Sequence, residues 1–145
     1  MKNTHLQTQS CLNTIKTALV ILALTCGFQH SFAQLGNGVV FQPMHILGES
    51  ITHMDVSGSI VRCDSTNTIH LKVFNENNSV QTASFQIIVR NTATGDNFTA
   101  SVNIPNLPAL GTLEADCSGN ASLAPLVINL PASYDPAKTI MHISF

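Results

Sequence analysis

The sequence predicts an all-β fold in which antiparallel strands pack face to face, and three observations support this prediction. Apolar and polar residues alternate with a period of two along several segments, as expected for strands that bury one face. Turn-forming residues separate these segments at near-regular intervals, which favours a sandwich or a barrel. No segment shows a sustained apolar repeat with the period of an α-helix.

The predicted strands follow one another along most of the chain. Three segments come first, at 39–47, 51–56 and 59–63, and their alternation is the least regular. Five later segments alternate clearly, and their apolar positions are Ile69, Leu71 and Val73; Phe85, Ile87 and Val89; Phe98, Ala100, Val102 and Ile104; Leu126, Ile128 and Leu130; and Met141, Ile143 and Phe145.

Glycine and proline mark the turns between these strands. Gly95 lies in the polar segment 92–96, where we expect it to supply the left-handed position of a hairpin loop. Pro105 and Pro108, and then Gly111, follow the alternating segment that begins at Phe98. Because proline cannot donate to a strand ladder, we expect these residues to end that strand.

The first part of the chain has the three features of a secretory signal. A lysine-containing start precedes an apolar run at 18–24, and the small-x-small tripeptide Ser31-Phe32-Ala33 follows. The apolar run is shorter than the roughly 20 residues that a membrane-spanning helix needs. We therefore predict a signal peptide at 1–33, cleaved before Gln34.

Two alternatives concern the same segment. Cys26 is the residue that a lipoprotein signal would modify, and the apolar run is otherwise compatible with a buried helix. Cleavage after residue 33 leaves a flexible leader at 34–38 and one domain at 39–145. The predicted location is outside the cytoplasm, either secreted or in the periplasm or bacterial cell envelope.

The charge of the exported chain excludes some classes of partner. Loss of Lys2 and Lys16 from the six basic residues leaves four against eight acidic residues, a net charge of −4. Nucleic acid is therefore a disfavoured partner, because its binding needs a basic surface. The sequence contains no basic amphipathic helix, the feature that would indicate binding to a membrane surface.

Two cysteines, Cys63 and Cys117, remain after cleavage, and in an exported chain such a pair predicts a disulfide. Closing the 54-residue separation stabilises a fold by about 4 kcal/mol in the chain-entropy model. Cys63 shares its strand phase with Val61, and Cys117 shares its phase with Leu113. We therefore expect both sulfurs to point inward and to join the two sheets. The alternative is two buried thiols that do not meet.

The sequence does not predict a metal site or a catalytic site. The candidate ligands are His45, His53, His70, His142, Asp64, Asp96 and Asp116. None of the histidines lies at ligand spacing from another histidine or a cysteine, and no calcium-binding ladder of aspartates is present. His70 and His142 fall on polar strand phases, where we expect surface positions. We predict no catalytic residue, cofactor-binding residue, metal ligand or cofactor.

The stretch 69–117 resembles a bacterial immunoglobulin-like domain of the CARDB type, a cell-adhesion-related module. The resemblance rests on a strand that ends in asparagine (69–75), a second strand that opens on small residues (83–89), and the closing segment 104–112. It implies an antiparallel immunoglobulin-like β-sandwich that acts by presenting a surface, and it implies no catalytic residues. The cysteine pair departs from the family pattern.

The predicted function is that of an exported, non-enzymatic adhesion or protein-interaction module with a protein or cell-surface partner. One alternative is a small secreted ligand-binding protein or hydrolase, and another is a small outer-membrane β-barrel. A polar pocket that holds histidine and aspartate together favours the ligand-binding alternative. A filled core with flat outer faces favours the interaction module.

The last predicted strand, 140–145, offers a means of self-association. It contains no lysine or proline, the residues that commonly protect a sheet edge from further pairing. One interpretation places this strand inside its sheet with both sides covered. The other places it at an edge, where it accepts a strand from a partner or a second copy.

Overall fold

The computed structural model describes residues 38–145. Within this range the chain forms eight strands and two short 3-10 helices. The strands are β1 (Val39–Glu49), β2 (Met54–Cys63), β3 (Thr66–Asn75), β4 (Gln81–Asn91), β5 (Asn97–Leu107), β6 (Thr112–Glu114), β7 (Val127–Asn129) and β8 (Thr139–Ser144). The helices are Ala121–Leu126 and Pro136–Lys138. The predicted signal peptide, its cleavage site and Cys26 lie outside the described residues.

The strands form two antiparallel sheets. In the first sheet the order is β1-β2-β3, and the far side of β3 pairs with both β6 and β7. The second sheet has the order β5-β4-β8. Each sheet ends in strands with a single neighbour, so these are two open sheets rather than one closed sheet. The prediction of an antiparallel immunoglobulin-like β-sandwich is confirmed.

The core lies between the two sheets because each sheet turns one apolar face toward the other. On β4 the odd-numbered residues from Ala83 to Val89 are buried, and the intervening residues are exposed. β3 supplies the opposing residues Ile69, Leu71 and Val73, all fully buried. The alternation in the sequence thus fixes which face of each strand packs inward.

β2 is one continuous strand where the sequence predicts two. The predicted break falls at Gly58, which pairs with Leu71 in the middle of the sheet. A Cβ atom at position 58 would stand 2.9 Å from Leu47 Cδ1, so this glycine allows a close approach of β1 and does not mark a turn. The strand predicted at 51–56 also begins later than expected, because β2 starts only at Met54.

The structure tests both turn predictions. Gly95 has φ +84° in the loop between β4 and β5, which confirms the left-handed position. Pro105 lies inside β5, which continues to Leu107 and ends directly before Pro108, the second of the two prolines predicted to end it. One extra residue of β5 bulges against β4 at this point, with Asn106 at φ +56°. A bulge on an edge strand tolerates proline because the regular ladder is already interrupted there.

Among the described residues β8 pairs with β4 alone, so it lies at an edge of the second sheet. This agrees with the interpretation that places the last strand at an edge. Met141 and Ile143 still face the core, opposite Val89 and Ile87. The side chain of Gln42 donates to the carbonyl oxygen of Thr139 at 2.6 Å. The first residue of β8 is therefore tied to β1. β1 also approaches β8 further along, where a Cβ atom at Gly48 would stand 2.8 Å from Ile143 Cγ2.

Two adjacent isoleucines on β4 test the assignment of faces. Ile87 is fully buried in the core, and Ile88 on the opposite face is 36% exposed. Ile87→Ala should lower the free energy of unfolding by about 2–5 kcal/mol because it leaves a cavity. Ile88→Ala should cost less than about 1 kcal/mol. Urea denaturation measures both, and equal losses would contradict the assignment.

Candidate functional site

The predicted disulfide is present and joins Cys63 to Cys117, with 5.5 Å between their Cα atoms. Cys63 ends β2, and Cys117 lies in the turn that follows β6. Both strands belong to the first sheet, on opposite sides of β3. The prediction that the bridge joins the two sheets is therefore wrong: it crosses over β3 within one sheet.

The sulfur atoms also lie on the face opposite to the predicted one. The core residues of β2 include Val56 and Ile60, whereas Val61 is buried outside the core cluster. Cys63 shares the phase of Val61, so its side chain lies on the outer face of the first sheet. The sequence could not reveal this because four consecutive residues, 58–61, are buried, and double burial removes the alternation that identifies the inner face.

His70 lies beneath the disulfide on the same outer face. It occupies the middle of β3, opposite Ser59 on one side and Val127 on the other. Its side chain is fully buried, and its Nε2 lies 3.4 Å from Cys63 Sγ. The prediction that His70 is a surface histidine is wrong. Its strand phase is polar as expected, but the disulfide and the segment after β6 cover that face.

The second ring nitrogen of His70 is without a partner. Among the described residues, no group forms a hydrogen bond with its buried Nδ1. Burial lowers the pKa of His70 because a charged imidazole loses its hydration there, and the negative charge of Asp116 opposes this shift. Burial thus favours the neutral form of the imidazole. A neutral ring is also the form that can ligate a metal.

Thr68 lies two residues before His70 on the same face and contacts the same sulfur. Its hydroxyl donates to the carbonyl oxygen of Val61 at 3.4 Å, and it lies 3.8 Å from Cys63 Sγ. The polar side chains on this face of β3 are therefore turned toward the bridge. The face is built around the disulfide instead of being open to water.

The segment after β6 is ordered by short polar contacts. The carboxylate of Asp116 accepts hydrogen bonds from the backbone N–H of Ser118, at 2.9 Å, and from the Ser118 hydroxyl. These bonds lower the pKa of Asp116 because they favour its charged form. Asn120 caps the helix Ala121–Leu126 by accepting from Ser122 N at 3.0 Å. Leu126 then enters the core, so the segment is fixed at both ends.

A depression of about 480 Å³ opens over the disulfide. His70 and the two sulfurs border it, and Leu123 and Val127 form an apolar part of its wall. Asp64 and Asp116 add carboxylates to its lining. Both cysteines are half-buried, so the bridge is accessible from the depression although the imidazole is not.

The other candidate ligands lie elsewhere on the surface. His142 is exposed on β8, as predicted, and His45 is exposed on β1. Asp96 accepts a hydrogen bond from the Thr94 hydroxyl at 2.7 Å within the β4–β5 loop. These three residues do not come together.

A second cluster was missed by the sequence analysis. His53 Nδ1 lies 3.3 Å from Glu49 Oε1, and Glu76 brings a third ligand atom within 4.8 Å. All three residues are exposed, and a surface hydrogen bond between His53 and Glu49 explains the contact without a bound ion. The spacing of Glu49 and His53 hints at the pair, but nothing in the sequence signals the approach of Glu76 from another loop.

Comparisons with protein-family models, with curated proteins and with solved structures find no match to this chain. The resemblance to a CARDB-type domain therefore stays a prediction. Within residues 38–145, no helix is both long enough and apolar enough to cross a membrane.

Removal of the disulfide should destabilise the domain. In the Cys63→Ser/Cys117→Ser double variant, the free energy of unfolding should fall by about 2–5 kcal/mol because the unfolded chain is no longer cross-linked. Urea denaturation measures the loss, with Ser65→Ala in the adjacent exposed turn as the control. Peptide mapping without reductant should recover the two cysteines linked. Free thiols on both, or an unchanged stability, would contradict the bridge.

Burial of His70 should make stability depend on pH. Its pKa is 6.5 in an unfolded chain and lower in the folded domain, so the unfolded chain binds the proton first as pH falls. The stabilisation is complete above pH 6.5 and is lost as pH falls toward the lowered pKa. Denaturation curves across this range should show a steeper acid loss for the wild type than for His70→Gln. His142→Gln should retain the wild-type slope, and equal slopes in all three would contradict the prediction.

Proposed function

We propose that the domain is an exported, non-enzymatic interaction module that binds a polypeptide strand at an open edge of its second sheet. One observation carries this proposal: neither edge strand of that sheet, β5 or β8, contains a charged residue. Charged side chains at an edge normally prevent further strands from pairing there. Edges without them are suited to strand addition.

The edge strand of the first sheet offers a contrast. β1 contains Pro43, ends in Glu49, and has three irregularities in its register against β2. Proline, charge and bulges are the usual means by which proteins protect an edge. In the second sheet β5 also has a proline, Pro105, and a bulge, whereas β8 has neither. Protection thus favours β8 as the site of strand addition.

Exposed apolar side chains favour β8 over β5. Ile140 is 39% exposed and Phe145 is 51% exposed, at the two ends of the strand. Phe145 also borders a depression of about 440 Å³ that is lined by Met54 and Phe85. A partner strand along β8 would cover these side chains, and this burial would add to the energy of the backbone hydrogen bonds.

The predicted signal peptide and the CARDB-type resemblance support the remaining parts of the proposal. The signal predicts export to the cell envelope or beyond, and the resemblance implies an adhesion-related role. The partner is then a protein or a cell-surface component, including a second copy of this chain.

The depression over the disulfide supports a second candidate function, the binding of a small ligand. It brings His70 and Asp116 to one place, which is the feature that favours a ligand-binding protein. Hydrolysis has less support, because the imidazole of His70 has no exposed surface from which to accept a proton from substrate.

Three residues in one row across the second sheet test the proposed function. Ser101 on β5 and Ser144 on β8 both pair with Gln86 on the central strand β4, and all three are exposed. Ser144→Lys should weaken self-association or partner capture by about tenfold, because it places a charge beside the incoming strand. Sedimentation at increasing protein concentration measures self-association.

Gln86→Lys is the matched control, since it adds the same charge to the same face away from either edge. It should leave binding unchanged. An effect of Ser101→Lys alone would move the binding edge to β5. A wild-type protein that stays monomeric at high concentration and captures no cell-envelope protein would contradict the proposal.

A further inference from the structure

Three potential metal ligands converge beneath the depression on the first sheet. The Sγ atoms of Cys63 and Cys117 and a ring nitrogen of His70 all lie within 4.8 Å of one another. Thiolate and imidazole are the ligands that zinc prefers in proteins. The sequence analysis did not detect this set, because 54 residues separate the cysteines and His70 belongs to a third element.

The distances suit a tetrahedral ion. With bonds of about 2.3 Å to sulfur and about 2.0 Å to nitrogen, a tetrahedral site places sulfur and nitrogen about 3.6 Å apart. His70 Nε2 lies 3.4 Å from Cys63 Sγ already. The two sulfurs would need to separate to about 3.8 Å, which the 5.5 Å between the Cα atoms permits by side-chain rotation.

The surrounding fold holds the histidine in place for such a role. β3 lies between β2 and the pair β6 and β7, so the backbone at His70 is hydrogen-bonded on both sides. The ring is fully buried, and its Nε2 is the ring nitrogen that lies next to Cys63 Sγ. The half-buried sulfurs face a depression through which an ion can enter.

We propose that reduction of the Cys63–Cys117 disulfide creates a zinc site whose ligands are the two thiolates and His70 Nε2. The fourth position faces the depression, where water or the nearby carboxylate of Asp116 completes the tetrahedron. This site lies on the outer face of the first sheet and does not depend on the function proposed for the second sheet.

The chemistry requires a dithiol as reductant. One thiolate of the dithiol attacks a sulfur of the bridge, the S–S bond breaks, and a mixed disulfide forms. The second thiol of the reductant then attacks the mixed disulfide, so that the reductant leaves as a disulfide and both cysteines are thiols. Two electrons and two protons pass to the protein. Zinc then binds the two thiolates and displaces both protons into solvent.

The two states of the site exclude each other. In the oxidised protein the sulfur lone pairs belong to a disulfide, which is a poor ligand, and the bridge covers His70. In the reduced protein the metal replaces the covalent link between the end of β2 and the turn after β6. The metal thereby preserves the cross-link over β3 when the disulfide is lost.

Cobalt titration of the exported protein tests this site. After reduction with a phosphine, which leaves no competing dithiol, Co²⁺ should bind one equivalent and give the thiolate-to-metal charge-transfer and visible bands of a tetrahedral ion. Zinc should displace it and abolish the colour. The oxidised protein should remain colourless under the same conditions.

Two variants identify the nitrogen ligand. His70→Gln should weaken cobalt binding by about tenfold or more, because it removes a ligand. His142→Gln, at an exposed position on β8, should bind as the wild type does. Equal binding by His70→Gln and wild type, or the absence of charge-transfer absorption in the reduced wild type, would overturn the proposal.

A folding measurement covers the case in which reduction unfolds the domain. Circular dichroism of the reduced wild type should then show recovery of the β-sheet signal on addition of one equivalent of zinc, because binding and folding are linked. His70→Gln should recover less at the same zinc concentration. A reduced protein that zinc does not refold would overturn the proposal.

Discussion

The structure depends on one constraint: β3 is buried on both faces. One face carries Ile69, Leu71 and Val73 into the core between the sheets, and the other carries Thr68 and His70 beneath the disulfide. A strand with two buried faces needs cover on both sides, because polar groups buried without partners are costly. The second sheet covers the first face. A cysteine bridge and the segment from Asp116 to Val127 cover the other.

This constraint explains the shape of the chain after β6. On the side of β3 away from β2, one part of the strand pairs with β6 and another part pairs with β7. The connection between β6 and β7 leaves the sheet and crosses its outer face. Cys117 attaches the start of that connection, and Leu126 anchors its end in the core. The bridge therefore stabilises the cover of β3 directly, besides its effect on the unfolded chain.

The sequence predicted the features that depend on local alternation. The strands β3, β4, β5, β7 and β8, the inner faces of β4 and β8, the left-handed Gly95 and the cysteine pairing all follow from patterns of a few residues, whereas the short strand β6 was not predicted. It failed at Gly58 and at Cys63, where the residues on both sides of β2 are buried and the inner face cannot be identified. It failed at His70 because the cover over that residue comes from a distant segment. The candidate site could therefore not be predicted from the sequence, although Cys63, Cys117, His70 and Asp116 had each been considered separately.

The edge at β8 and the site around the disulfide belong to different sheets. We therefore expect a change at one of them to leave the other unaltered. The edge at β8 is supported by pairing with β4 and by Met141 in the core, none of which contacts the disulfide. Reduction alters the cover on the outer face of the first sheet, while the core between the sheets keeps its apolar contacts. The strand addition proposed at β8 should consequently be independent of the redox state of the bridge as long as the domain remains folded. A change in binding that follows reduction of a folded domain would have to act through the first sheet, because β2 carries Cys63 as well as core residues and β3 contacts both the core and the bridge.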